Sequence, residues 1–132
     1  MAWRVDFTPQ AEQWFRELTP ADRNRMGRRI ENLRQVGPAL GRPDVDSVKD
    51  SRHHNMKELR LSRSPVRALF AFGPDRRAII LVGGSKAGKE KHWYRSQLHV
   101  ADRLFTDHLN TFRRESACRA TRAGTRSAGR QR

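Results

Sequence analysis

Residues 56–82, MKELRLSRSPVRALFAFGPDRRAIILV, decide how this chain folds. In Met56–Leu61 the apolar Leu59 and Leu61 alternate with Glu58 and Arg60, the two-residue period of a strand with one buried face. Val66–Phe72 sets Val66, Ala68, Phe70 and Phe72 on one face, and Arg67, Leu69 and Ala71 on the other. Gly73-Pro74-Asp75-Arg76 has the composition of a turn. Ala78–Val82 is apolar throughout, as a central strand covered on both faces would be. Short connections between these three segments predict antiparallel pairing.

Upstream, Trp3, Val5 and Phe7 alternate with Arg4 and Asp6, which predicts a further strand. Thr8-Pro9 then supplies an N-cap and a first-turn proline, and Ala11, Trp14, Phe15 and Leu18 follow at helical spacing. Thr19-Pro20 repeats the start signal, with Asp22 favouring the positive end of a second helix that carries Met26, Ile30 and Leu33 and stops at Gly37-Pro38. Two consecutive helices of this kind pack as a hairpin on the sheet. Residues 37–55 are rich in Gly, Pro, Asp and Ser without periodicity, which predicts a long irregular connection. From Trp93 to Phe112 the pattern is again helical, with Val100, Ala101, Leu104, Phe105, His108, Leu109 and Phe112 in an apolar stripe and Asp102 and Asp107 off it. Residues 113–132 have few bulky apolar side chains, so a disordered basic tail is expected after a domain spanning 1–112. The expected class is α+β: a small antiparallel sheet, a helical hairpin on one face and a C-terminal helix, in the order β-α-α-β-β-β-α.

The chain has 132 residues, a one-domain length. Its 28 Lys plus Arg against 14 Asp plus Glu give a formal net charge of +14. Phosphate is the commonest partner for such an excess, because neutralising it releases condensed counterions. Arg-rich genome composition is the lesser alternative, and it needs no partner. No basic amphipathic helix stands free of the core, so no membrane partner is expected. One cysteine, Cys118, leaves no internal disulfide, and Met1–Asp6 lack an apolar signal core. The expectation is a cytoplasmic setting.

Strand parity puts Glu58, Arg60 and Arg67 together on the face turned away from the helical hairpin. Two guanidiniums beside a carboxylate suit phosphodiester chemistry: the cations hold the phosphate and its developing charge, and a carboxylate or a lysine of lowered pKa takes a 2′-hydroxyl proton. The same pattern also describes a solvated sheet face with an internal ion pair. Residues 83–90, GGSKAGKE, approach a phosphate-binding loop, but Glu90 stands where Ser or Thr should hold magnesium, so no nucleotide cofactor is expected. What remains is a cluster of Lys86, Lys89 and Lys91, followed by Trp93 and Tyr94, which suits backbone contacts and base stacking. Trp93 serves equally as an anchor for the last helix. The adjacent His53 and His54 have no metal-ligand spacing around them, so no metal is expected; with His92 they are candidates for proton transfer.

The order of elements, with LGRPDVDSVKDSRHHNMKELRL, VRALFAF, AIILVGGSKAG and HWYRSQLHVADRLFTDHL, resembles the RelE/ParE toxin superfamily and within it the HigB-like branch, over about Trp3 to Phe112. The resemblance implies a type II toxin that enters the ribosomal A site and cuts mRNA without a cofactor, silenced by a cognate antitoxin often carrying a helix-turn-helix domain. It maps the family's Lys-Glu-Leu-Arg strand onto Lys57, Glu58, Leu59 and Arg60, its following strand arginine onto Arg67 and its post-strand lysine onto Lys86. That implies Glu58, Arg60, Arg67 and Lys86 as catalytic residues. Lys57, with Lys89, Lys91 and Tyr94 of the cluster above, supplies the expected RNA contacts. The loop SRSP (62–65) departs from the Gly-containing turn of many relatives. The superfamily also holds gyrase inhibitors, so a ParE-like non-nuclease toxin is one alternative, and a non-catalytic nucleic-acid-binding module is another.

Overall fold

The computed structural model describes residues 2–85 and 90–130, with side chains described through 119 except at 90, 91, 93 and 94. Strand β1 (Arg4–Phe7) leads into helices α1 (Pro9–Glu17) and α2 (Pro20–Val36), a short 3-10 turn (Gly37–Ala39) and β2 (Val45–Ser47). Strands β3 (Met56–Arg60), β4 (Val66–Gly73) and β5 (Arg77–Ser85) follow, then helix α3 (Glu90–Arg130). They form a five-stranded sheet in the order β1-β5-β4-β3-β2.

The helix starts behave as their caps require. Thr8 Oγ1 accepts from Ala11 N at 3.1 Å and Thr19 Oγ1 from Asp22 N at 3.2 Å, each with proline at the first helical position. Thr8 Oγ1 also donates to Leu81 O at 2.6 Å, so the start of α1 is tied to β5. Gly37 ends α2 at φ +57°, and an added Cβ there would lie 2.2 Å from Trp3 Nε1, so both conformation and space require glycine.

Two features of the sheet differ from the sequence expectation. The pairings among β2, β3, β4 and β5 are antiparallel, but β1 runs parallel to β5, which makes the sheet mixed. β1 and β5 are not joined by a hairpin: two helices and three further strands lie between them in sequence, and only such a distant connection allows parallel neighbours. Second, the stretch 37–55 is not wholly irregular: Val45–Ser47 pairs with Lys57–Leu59 as edge strand β2. Three residues are too few for a periodicity signal, and β3 supplies the hydrogen-bonding partner that creates the strand.

β5 carries one extra residue. Leu69 pairs with Val82 but Phe70 with Ile80, so Leu81 bulges out of the ladder. Its carbonyl is the one that Thr8 caps. The bulge turns Ile79, Leu81 and Val82 all toward α3, where they meet Met56, Leu69, Ala71, Leu98, Ala101 and Phe105. On the opposite face Leu59, Ala68, Phe70, Ala78 and Ile80 pack with Ala11, Met26 and Leu33 of the hairpin. The molecule is therefore three layers, and α3 occupies most of the face expected to lie open. Leu69 and Ala71 are the reason: β4 is apolar on both sides, and both sides need cover.

Asp102 lies off the apolar stripe in sequence yet is buried. Its carboxylate accepts from Ser51 Oγ at 2.5 Å and from Arg52 N at 3.1 Å, pinning the loop before β3 to α3. His53 completes the seam, with Nε2 2.8 Å from Thr106 Oγ1 and its ring edge-on to Phe105. Beyond Phe112, helical backbone continues to Arg130 through the segment expected to be a disordered tail. Ala and Arg are strong helix formers, and a nucleated helix propagates through them without apolar burial. Among the described residues no helix is long and apolar enough to cross a membrane.

The bulge makes a sharp demand at Gly83, where an added Cβ would lie 2.1 Å from Trp14 Cδ2. Gly83→Ala is expected to lower stability by about 1–3 kcal/mol through overpacking. Urea unfolding checks this as a lower midpoint at unchanged m-value.

Candidate functional site

Cross-strand register aligns the charged residues. Asp46 pairs with Glu58 and Glu58 with Leu69, while Arg60 pairs with Arg67 and Arg67 with Gly84. All lie on the face that α3 packs against, beyond the apolar patch of Met56, Leu69 and Ala71. Gly84 stands opposite Arg67 with no side chain to cover it.

Glu58 is the centre of the group, its side chain only 6% exposed. Oε2 lies 3.9 Å from Arg60 Nε, and Oε1 lies 3.8 Å from Arg67 Nε. Arg67, 12% exposed, is tied to the β3–β4 turn through Nη1, which donates to Ser64 O at 2.6 Å and Val66 O at 2.8 Å. Arg60 is the accessible guanidinium, 37% exposed. One ion pair near 4 Å is attracted by roughly 4 kcal/mol at an effective dielectric of about 20. Burying a carboxylate costs several kcal/mol, so two flanking guanidiniums offset it where one would about break even.

Asp46 extends the line. Its Oδ2 lies 3.6 Å from Arg60 Nη1, and its Oδ1 takes Arg42 Nε at 3.2 Å and Ser47 N at 2.8 Å. The Ser47 N–H, and then the Arg42 and Arg60 guanidiniums, hold its carboxyl below the usual carboxylate range. The order Arg42, Asp46, Arg60, Glu58, Arg67 alternates in sign across three strands. Sequence reasoning missed Asp46 because it lies in the stretch taken as irregular; an acidic residue between Val45 and Ser47 was the available signal.

The structure thus brings Glu58, Arg60 and Arg67 together. Lys57 is on the other face: it pairs with Phe70 and Ser47, and its Nζ donates to Ser47 Oγ at 3.1 Å. There it borders a groove of about 570 Å³ at the sheet edge, lined with it by Arg42, Asp46, Lys49 and Phe72. Lys86 and Lys89 lie outside the described residues, as do the side chains of Lys91 and Tyr94. His53 is engaged at the α3 seam, not at this site. Among the described residues no three His, Cys, Asp or Glu side chains gather as metal ligands.

Comparison with known proteins places this arrangement. The family profile "Phage derived protein Gp49-like (DUF891)" matches residues 13–106. The chain belongs to this Gp49-like family. Two Mycobacterium tuberculosis relatives are named as HigB toxins. HigB3 is 48% identical over 98 residues, covering 74% of this chain and 86% of the relative. HigB2 is 44% identical over 115 residues, covering 85% of this chain but 57% of that longer protein. Among solved structures, the isolated E. coli RelE toxin matches with a TM-score of 0.56 at 13% identity, over 73% of this chain and 97% of RelE. The archaeal RelE–RelB complex from Pyrococcus horikoshii matches with a TM-score of 0.54 at 18% identity, over 66% of this chain and 98% of its counterpart. At such identities these structures establish the fold alone, and that fold is RelE-like.

Glu58→Gln keeps the shape but removes the charge between two guanidiniums, one of them largely covered. It is expected to cost about 1–3 kcal/mol in urea unfolding, and Arg60→Ala, which leaves the buried Glu58 with one guanidinium and unrelieved opposite Asp46, about 1 kcal/mol. Because the pKa of Asp46 is lowered by folding, its stabilising contribution is present above the ordinary value of about 3.9 and lost as pH falls through the lowered one. Asp46→Asn should flatten the acid limb of the stability–pH curve below about pH 4, measured by urea midpoints.

Proposed function

We propose that this chain is the toxin of a type II toxin–antitoxin pair and that it blocks translation by cutting mRNA on the ribosome. The observation that carries the reading is the Arg60–Glu58–Arg67 cluster, set on a RelE-like sheet in a chain whose relatives are HigB toxins. In this reading Arg60 takes the non-bridging oxygens of the scissile phosphate. Arg67, fixed by the Ser64 and Val66 carbonyls, adds positive potential for the charge that grows in the pentacovalent transition state. Glu58 orients both guanidiniums.

Lys86 follows the end of β5, whose Gly84 and Ser85 pair with Arg67 and Val66, and is assigned the proton transfer. The 2′-hydroxyl passes its proton to the Lys86 amine as its oxygen attacks phosphorus, the bond from phosphorus to the 5′-oxygen breaks, and the departing 5′-oxygen takes a proton from water. A 2′,3′-cyclic phosphate and a 5′-hydroxyl result. The ribosome supplies substrate alignment, and an antitoxin encoded beside the toxin supplies control, as the RelE–RelB complexes among the structural neighbours suggest. The compact toxin domain ends near residue 112, and the Arg-rich extension beyond it adds RNA affinity.

Inducible expression with genome-wide mapping of mRNA 5′ ends tests this directly. The expected result is growth arrest with cuts in frame within translated codons, relieved by co-expressing the neighbouring reading frame. Arg60→Ala and Arg67→Ala should each lower cleavage on the order of 10²-fold while the protein stays folded. Arrest with intact mRNA and linearised plasmid DNA would instead identify a gyrase inhibitor.

A further inference from the structure

The register of β2 on β3 contains an arrangement that sheet stability alone disfavours. Asp46 and Glu58 are direct cross-strand neighbours on one face. Like charges in that position repel and destabilise the pair. The guanidinium of Arg60, two residues along β3, lies between them: Nη1 is 3.6 Å from Asp46 Oδ2 and Nε is 3.9 Å from Glu58 Oε2. Asp46 is itself held from behind. Its Oδ1 takes both the Ser47 backbone N–H and Arg42 Nε, which leaves Oδ2 aimed at Arg60.

A long arginine side chain at an accessible position keeps many rotamers open. A single contact to Glu58, through Nε, does not set the plane of the guanidinium; a second contact through Nη1 does. From this geometry we infer that Asp46 is a positioning residue for Arg60, fixing the plane in which that guanidinium meets the scissile phosphate. The inference rests on the proposed role of Arg60 in phosphate binding. It adds that the acidic member of the β2 edge favours a correctly oriented transition state over indiscriminate phosphate binding. Removing its charge frees Arg60 and raises the local positive potential, so RNA should bind more tightly and be cut more slowly.

Asp46→Asn is the informative variant, because an asparagine Oδ1 keeps the bond from Ser47 N while the charge is lost. Purified wild type, Asp46→Asn and Asp46→Glu are compared on programmed ribosomes, with binding of a short single-stranded RNA measured in parallel. The expected result for Asp46→Asn is kcat lowered about 10-fold with KM unchanged or lower, and free RNA bound several-fold more tightly. Asp46→Glu should restore most of kcat. Loss of structure alone would raise KM or remove activity and would not tighten RNA binding. Unchanged kcat in Asp46→Asn, or equal loss in Asp46→Asn and Asp46→Glu, overturns the inference.

The RNA-binding arm separates this inference from the nuclease reading. If the wild type cuts no mRNA, the nuclease reading fails, yet the pairing of Asp46 with Arg60 is still decided. The gain in RNA affinity from Asp46→Asn should shrink at least several-fold in an Arg60→Ala background, and an equal gain in both backgrounds refutes the pairing.

Discussion

One bulged residue in an interior strand, β5, sets the arrangement of the molecule. Between the pairs Leu69–Val82 and Phe70–Ile80, β5 carries Leu81 as an extra residue. A strand alternates faces strictly, so one inserted residue exchanges the faces of everything after it. Before the bulge, Ile80 faces the helical hairpin; after it, Gly83 does, close against Trp14. Gly84 consequently falls opposite Arg67, in the row of the guanidiniums. The freed Leu81 carbonyl takes the hydroxyl of Thr8, so the same irregularity also fixes where α1 begins.

The charged row works by division of labour. Glu58 and Arg67 are held away from solvent by strand position and by the Ser64 and Val66 carbonyls, so they do not wander. Arg60 and Asp46 stand at the accessible end and meet whatever arrives. Buried ionic groups contribute little net stability, because desolvation offsets attraction. Such an array fixes positive charge in place in advance, which is the preorganisation that the proposed phosphate chemistry requires. Lys57, one residue from Glu58 in sequence, lies on the opposite face because strand parity separates neighbours as firmly as it joins alternate residues.

The loop before β3 and the edge strand β2 are held by polar contacts rather than a core. Asp102 receives Ser51 and Arg52, and His53 meets Thr106 and Phe105, so α3 steadies the segment that feeds the site. At the sheet margin, Val45 N donates to Gly41 O and Ser47 N to the Asp46 carboxylate. The outward N–H groups of β2 are thereby occupied, which blunts an edge that would otherwise pair with another chain. Asp46 therefore joins the strand edge to the charged row.

Much of this was legible in the residues. Two Thr-Pro caps, the alternation in MKELRL and VRALFAF and the apolar run AIILV specify their elements through local sterics and burial, and parity alone placed Glu58, Arg60 and Arg67 on one face. The site was then legible as a set of residue types, not as a working arrangement. The charge excess divides as well: seven arginines and one glutamate put +6 of the +14 in residues 113–132 and leave +8 on 1–112. Only the tertiary structure decided the rest. Strand β2 exists because β3 offers it hydrogen bonds, Asp46 and Asp102 gained their partners across the sheet and across 50 residues, and α3 took the face that parity had left open. Those outcomes depend on contacts between distant segments, and local propensity carries no record of which segments will meet.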